Sequence, residues 1–453
     1  MNYSVVIYIL GWIMEIEAAF LALPGIVSAI YGEKGGFAFL WVALGSAVAG
    51  SAIILRKPKN MRFYLREGFV TVALSWILMS VIGCLPFVIN GDIPHFADAL
   101  FEMISGFTTT GATVVSDVEG LTKGSLFWRS FSHWIGGMGV LVFLLAIVPM
   151  AGGSHMNLMK AESPGPSVGK LVPKVRQTAK YLYIIYFALT MIEVIFLLFG
   201  GMNLFEALTT SFGTAGTGGF AIWNDGFVSV SPYNQWVVTI FMLLFGVNFG
   251  FYFLILTGKL RDALKFEEVR IYFIIVIAAA VFIFINLRHF ALYAPAEGIR
   301  QAFFQVASII TTTGFASADF NLWPETSRTI LVLLMFIGAC AGSTGGGIKV
   351  SRFIIACKSF IKEIISYLHP RSVKKIKIEG KPLEHETLRA TNVYFMTYMV
   401  IFAVSVLLVS IENKDLVTNF AAVAATFNNI GPGLSLVGPM ANFGHFTDFT
   451  KYI

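Results

Sequence analysis

Charge is what this sequence has least of. Only 13% of its 453 residues are Asp, Glu, Lys or Arg, against about 25% in ordinary soluble domains. The chain is 56% hydrophobic with a mean hydropathy of +0.76, which excludes a water-soluble globular fold and implies an integral membrane protein. Cysteine is scarce too. Cys84, Cys340 and Cys357 fall in or beside apolar runs, which excludes a disulfide framework and a thiolate metal cluster. The histidines (His95, His133, His155, His289, His369, His385, His445) show no ligand spacing, and His385-Glu386 lacks the second His of a zinc protease motif. No nucleophile–base constellation supports an intramembrane enzyme. The alternating segments of about ten residues that mark a β-barrel are missing. The N-terminus has no basic region before its apolar run and carries Glu15 and Glu17, so it is read as a retained helix, not a cleaved signal peptide.

What the sequence does have is long apolar runs. A spanning helix needs about 20 apolar residues, and candidates lie at roughly 4–30, 37–55, 69–90, 126–149, 181–200, 235–257, 271–290, 328–356 and 391–411. Between them sit half-polar segments too short to cross, at about 96–107, 203–215, 298–310 and 415–427, which fit re-entrant helices. Most of the 32 Lys and Arg residues fall in four loops: Arg56–Arg66, Lys160–Lys180, Lys259–Arg270 and Lys358–Arg389. Cytoplasmic loops attract such residues. All four share one side only if each short segment dips in and returns. That places the basic loops and the N-terminus in the cytoplasm. It also accounts for the net charge of +6 without nucleic acid as a partner. The last loop is the most basic and suits either a cytosolic partner or anionic lipid.

Each short segment is followed by a polar, glycine-ended word. The words are Thr109-Thr110-Gly111, Thr217-Gly218-Gly219, Thr312-Thr313-Gly314 and Asn429-Ile430-Gly431. They recur roughly every hundred residues, and such self-similarity is evidence about architecture. The expected fold is all-α and membrane-integral: four tandem units of helix, re-entrant half-helix, loop and helix around one pore, preceded by two extra spans. The expected boundaries are 1–60 for the two N-terminal helices, then 61–155, 156–262, 263–370 and 371–453 for the units. The fourth unit ends without its second span, so the native chain is expected to continue by about 20–30 apolar residues.

A half-helix entering from outside aims its negative C-terminal end at the membrane centre, where it attracts a cation. Extended backbone after it survives at that depth only against protein or a water-filled path. Four such strands would offer rings of carbonyl oxygens in place of an ion's hydration shell. Glycine permits the positive φ that turns the oxygens inward. The plain alternative for any one glycine is helix packing. In the second word Gly218 and Gly219 are both candidates for the register position.

A further glycine run, Gly338–Lys349 ("GACAGSTGGGIK"), stands inside the second span of the third unit. Glycine in a helix costs about 1 kcal/mol relative to Ala, so the span should break there. Gly342 and Gly347 have phosphate-loop spacing, but Ile348 stands where Lys is required and no strand precedes. The preferred reading is an intramembrane loop, Gly342, Ser343, Thr344, Gly345, Gly346 and Gly347 with Lys349 behind it. A packing kink is the alternative. Lys349 would either repel cations or pair with a carboxylate.

"TTTGAT" (Thr108–Thr113), "FWRSFSHWIGGMGVLVF" (Phe127–Phe143), "MFIGACAGSTGGGIKVSR" (Met335–Arg352) and "NNIGPGL" (Asn428–Leu434) together resemble the Trk/Ktr/HKT superfamily of potassium and sodium transporters. The likeness runs over nearly the whole chain and is greatest to the bacterial potassium-uptake branch. The resemblance implies K+ as permeant ion, with Rb+ or Na+ as possible companions, and no enzymatic activity. It makes Gly111, Gly219, Gly314 and Gly431 the filter glycines; glycine at all four goes with potassium, serine at the first with sodium. It makes the 342–349 segment a gate loop. It further implies a homodimer in the bacterial inner membrane, regulated by a TrkA-like cytosolic nucleotide-binding subunit. The alternatives are a Na+-permeable or Na+/K+-cotransporting member of the superfamily. More distant is a secondary transporter of an organic solute, whose inverted repeats would run in opposite orientations.

Overall fold

The computed structural model describes residues 1–61, 64–137, 139, 175–369 and 375–453. Two helices, α1 (Tyr3–Ile30) and α2 (Gly36–Ile54), form a hairpin ahead of everything else. It closes on small residues: a Cβ on Gly50 would stand 2.9 Å from the Gly11 carbonyl, the close approach by which membrane helices associate. Glu15 finds its partner across this contact, accepting from the Ser51 hydroxyl at 2.6 Å.

The remaining elements are taken in four successive units. The first holds α3 (Leu65–Asn90), α4 (Phe96–Phe107) and α5 (Lys123–Gly137). The second holds α6 (Val175–Phe199), α7 (Leu204–Gly216), α8 (Pro232–Phe245), α9 (Phe249–Leu256) and the short α10 (Leu260–Leu264). The third holds α11 (Glu267–His289), α12 (Pro295–Ile310), α13 (Glu325–Ile337) and α14 (Val350–Leu368). The last holds a small hairpin, β1 (Lys377–Ile378) with β2 (Lys381–Pro382), then α15 (His385–Val409), α16 (Leu416–Phe427) and α17 (Asp448–Lys451). The strands pair antiparallel, Lys377 with Pro382 and Ile378 with Lys381. Local chemistry sets the starts. Pro232 and Pro295 occupy first-turn positions, where the missing N–H costs nothing. Asn203 and Glu206 form a capping box on α7.

Among the described residues, six helices are long and apolar enough to cross a membrane, and the bent pair α8–α9 makes a seventh. Their outer faces are apolar and exposed, as at Trp41 (67%) and Val48 (63%) on α2. Such faces suit lipid. The four half-spans expected from sequence are α4, α7, α12 and α16.

One span differs from expectation in kind and a second in length. The run at 235–257 was expected to be one helix, but α8 and α9 meet at 88°. Gly246 interrupts the first, and the Asn248 side chain caps Gly250 N–H at 2.8 Å to start the second. The run at 328–356 does break, between Ile337 and Val350, and then continues as helix to Leu368. The later part of the expected 126–149 span lies outside the described residues, as does the 155/156 boundary. So do Arg62, Lys160, Lys170, Lys174, Arg371 and Lys374 of the basic loops.

Candidate functional site: a closed ring of four turns

Four half-helices end in one and the same way. Thr110 N–H bonds Ser105 O at 2.8 Å, Gly218 N–H bonds Gly213 O at 2.9 Å, Thr313 N–H bonds Ser308 O at 2.9 Å, and Ile430 N–H bonds Ala425 O at 2.8 Å. These are six-to-one closures of the Schellman type, which put one residue in the left-handed region. That residue is Thr109 (φ 57°), Thr217 (53°), Thr312 (59°) and Asn429 (59°). Glycine is the ordinary occupant, and a β-branched residue there is an outlier. Three threonines held in that conformation mark a place where a hydroxyl is worth strain, and strain of this sort collects at functional sites.

Two residues on, the backbone turns left-handed again, at Gly111 (φ 76°), Gly219 (77°), Gly314 (83°) and Gly431 (91°). A Cβ on Gly111 would run into the Gly218 carbonyl oxygen, one on Gly219 into that of Thr313, and one on Gly314 into that of Ile430. A Cβ on Gly431 would stand 2.8 Å from Thr110 O. Strand one thus touches two, two touches three, three touches four, and four returns to one. The four glycines border a cavity of about 120 Å³. Asn224 is part of its lining, and Asp117 accepts from Asn224 Nδ2 at 2.9 Å and from Gly120 N–H at 3.2 Å. These bonds, Asn224 first, hold its carboxyl below the usual carboxylate range.

The ring removes the ambiguity of the second word. Gly219 takes the positive φ, whereas Gly218 lies flat against the His133 ring, with no room for a side chain. His133 is buried, with Nδ1 2.8 Å from Gly106 O and Nε2 3.2 Å from Phe220 N. Gly106 O can only accept and Phe220 N–H can only donate, so the imidazole is neutral with its proton on Nδ1. It ties the end of α4 to the second strand.

The 338–349 loop lies against the ring. A Cβ on Gly345 would stand 2.7 Å from Thr311 O, and one on Gly346 2.6 Å from Asn428 O. Gly346 N–H donates to Thr312 Oγ1 at 2.5 Å. At its root the loop leans on the bend of the second unit: Cys340 N–H bonds Gly246 O at 3.0 Å, and Phe249 N–H bonds Gly342 O at 3.0 Å. Glu268 Oε1, at the start of α11, accepts both Ala341 N–H (2.7 Å) and Ser351 N–H (2.9 Å). Lys349 Nζ donates to Gly345 O; among the described residues it forms no ion pair. Ser343 donates to Cys340 O and Thr344 to Phe245 O. Positive φ at Gly338, Gly342, Gly347 and Lys349 explains three of the loop's glycines.

A family model described as cation transport protein, TrkH, matches residues 37–453. The chain belongs to the TrkH family. Its relatives include the Trk system potassium uptake protein TrkH of Escherichia coli K12, 36% identical over all of this chain and 95% of that protein. TrkG of the same strain is 31% identical over 99% of this chain and 93% of its own length. The crystal structure of the potassium transporter TrkH from Vibrio parahaemolyticus superimposes with a TM-score of 0.89 at 32% identity, covering all of this chain and 94% of that one.

Within this TrkH-family chain some site residues escape sequence reasoning. His133 reads as helix packing because a lone histidine has no spacing to give it away. The Arg129–Glu102 pair (2.7 Å, both buried) is 27 residues apart in sequence. There it links Thr113 and Val114 of the first strand to Ala221 O after the second. Glu268 is hidden among charges that read as a cytoplasmic loop. The break at Gly246 had a usable signal: a glycine followed by Asn248 in N-cap position.

Proposed function

We propose that this chain is the K+-conducting membrane subunit of a Trk-type potassium uptake system. The observation that carries the reading is the closure of the ring: four strands from four successive units, each glycine abutting the carbonyl that precedes the next glycine. Relatives over the full length named for potassium uptake support it.

In this reading Thr109, Thr110, Gly111, Thr217, Gly218, Gly219, Thr312, Thr313, Gly314, Asn429, Ile430 and Gly431 form the filter. Carbonyl and side-chain oxygens replace the water around a K+ ion. The C-terminal ends of α4, α7, α12 and α16 point their partial negative charge at the same place, which favours a cation and disfavours an anion. No chemical step and no bound cofactor is needed. The membrane potential supplies about 2.3 kcal/mol per charge per 100 mV. At about 1.4 kcal/mol per tenfold that sustains roughly fifty-fold accumulation. The Gly342–Gly347 loop, with Lys349 behind it, obstructs the path below the ring and is the gate.

The protein then resides in a bacterial inner membrane with the N-terminus and basic loops in the cytoplasm. It acts as a homodimer under a TrkA-like nucleotide-binding subunit docked on those loops, in contact with lipid elsewhere. The nucleotide binds the partner, not this chain. Four glycines at the ring favour K+ and Rb+ over the Na+-permeable or cotransporting alternatives.

The test is cation flux in liposomes holding the purified protein, comparing K+, Rb+, Na+ and Li+ for the wild type and Gly111→Ser. Flux of K+ and Rb+ that loses selectivity or collapses in the mutant supports the filter. Flux indifferent to the change, or transport of an organic solute only, removes it.

A further inference from the structure

The four left-handed residues at the base of the ring share backbone geometry but not their hydrogen bonds. Thr109 donates its hydroxyl to the carbonyl just before it, Thr108 O, at 2.7 Å. Thr217 does the same to Gly216 O at 2.6 Å. Asn429 reaches to strand one, donating from Nδ2 to Thr108 O at 2.5 Å. Thr312 instead accepts the Gly346 N–H of the loop. Thr312 is thus the one of the three threonines whose hydroxyl oxygen serves as acceptor for the loop, with one of its two lone pairs occupied by Gly346 N–H.

The anchors of the loop divide into two sets. Glu268 and the Gly246–Phe249 bend hold its root, at Cys340, Ala341, Gly342 and Ser351. The tip, 343–347, has weaker ties. Thr344 reaches Phe245 O only at 3.4 Å, and the Lys349–Gly345 bond is internal to the segment. Among the described residues, the Gly346–Thr312 bond is the one hydrogen bond joining tip to ring. Gly342, just before the tip, and Gly347, its last residue, are both at positive φ and are points about which it can turn.

We propose that the Thr312 hydroxyl is the latch of this loop. It holds the tip against the ring, and its release frees the oxygen lone pair of Thr312 that Gly346 N–H occupies. Opening the gate and completing the innermost set of four oxygens are then one event. A hydroxyl bonded to the loop has one oxygen lone pair fewer for an ion, so a closed loop both blocks the path and weakens the site above it. The inference rests on the pore-and-gate reading and goes beyond it by naming the contact that couples the two parts.

The experiment is K+ and Na+ flux in proteoliposomes for the full chain, Thr312→Val, Thr312→Ser, Thr109→Val and deletion of 345–347, with Thr312→Val also placed on the deletion. Valine keeps the shape and removes the acceptor. Thr312→Val should raise K+ flux about three- to ten-fold, ~0.7–1.4 kcal/mol at about 1.4 kcal/mol per tenfold, as expected for one hydrogen bond. Thr312→Ser, which keeps the acceptor oxygen, should not show the rise seen with Thr312→Val. Thr109→Val, which removes a ring hydroxyl but no latch, should not raise flux. On the deletion background Thr312→Val should give no further rise. The latch is wrong if Thr312→Val and Thr109→Val lower flux alike, or if Thr312→Val raises flux equally with the loop tip gone. A conducting deletion with an unresponsive Thr312→Val also overturns the latch and leaves the gate standing. A deletion with wild-type flux overturns gate and latch together.

Discussion

The ring and the layer beneath it are built on opposite plans. In the ring four segments of different sequence reach the same φ values and the same closing hydrogen bonds. Beneath it the second and third units, among the described residues, go different ways. The second unit bends by 88° after Phe245, and the third opens into the 338–349 loop. An ion on an axis is served by equal oxygens on all sides, so symmetry pays where ions bind. On the proposed reading a gate needs only one moving part, and the bend of the second unit serves as its support.

The largest expected effect breaks the ring's frame. Arg129→Met leaves Glu102 buried without its partner, which typically costs about 3–5 kcal/mol. Loss of the folded protein, or a sharply lowered unfolding midpoint in detergent, is expected. The third unit shows how the frame can do without charge. Gln305 stands where Glu102 does and, with its amide turned, takes Ser317 N–H at 3.0 Å and Ala318 N–H at 3.2 Å. The double change Glu102→Gln with Arg129→Gln should therefore recover much of the stability lost by Arg129→Met. A double variant no better than the single would mean that the charge itself is required.

Next in size is the pair Gly218 and Gly219. Gly219→Ala sets a side chain at positive φ against Thr313 O, and K+ flux should vanish whatever happens elsewhere. Gly218→Ala meets the His133 ring first. Trimming that ring with His133→Ala should restore part of the flux to Gly218→Ala and none to Gly219→Ala. Equal rescue of both would undo the distinction between backbone geometry and side-chain clearance.

Below the ring, Glu268 offers a graded test. Glu268→Ala removes a charged acceptor from Ala341 and Ser351, an interaction of about 1.5–3 kcal/mol per hydrogen bond. Basal K+ flux should rise by roughly tenfold or more, at about 1.4 kcal/mol per tenfold. Glu268→Gln keeps an oxygen for the two N–H groups and should stay near the wild type. Flux that falls in both variants would make Glu268 a support of the α11 start and not of the loop.

How much of this was legible follows the same division. The half-spans were readable because each is apolar yet too short to cross, and the ring because four glycines fall in register. The break at Gly338–Lys349 was readable because glycine is a poor helix former. The bend at Gly246 was passed over, since one glycine in an apolar run looks like helix packing unless Asn248 is read with it as an N-cap. His133 and Glu268 were missed for a different reason. Both act on backbone groups far away in sequence, and no spacing rule connects Glu268 to Ser351 or His133 to Phe220. Lys349 was expected to repel ions or meet a carboxylate; among the described residues it meets no carboxylate and donates to a carbonyl of its own loop.

The smallest effect sits at the outer end of α16 and sharpens the comparison from within the symmetric part. The four half-helices end alike but begin differently. Asn203 caps α7 through its side chain, α4 and α12 have no side-chain cap, and α16 is capped by Asp415. Asp415 accepts Thr418 Oγ1–H at 2.5 Å and Thr418 N–H at 2.9 Å. Those bonds, the hydroxyl first, hold its carboxyl below the ordinary 3.8. A carboxyl lowered on folding stabilises the fold above its unfolded value, and the gain is lost as pH falls through the lower folded value. Asp415→Asn keeps a capping oxygen and loses only the charge at the helix N-terminus, an effect of about 0.3–1 kcal/mol. The unfolding midpoint of the wild type should exceed that of Asp415→Asn near neutral pH, and the gap should close on acidification below 3.8. A gap unchanged by acid would mean that the carboxylate's charge contributes nothing and that Asp415 serves α16 only as Asn203 serves α7, through a neutral hydrogen bond.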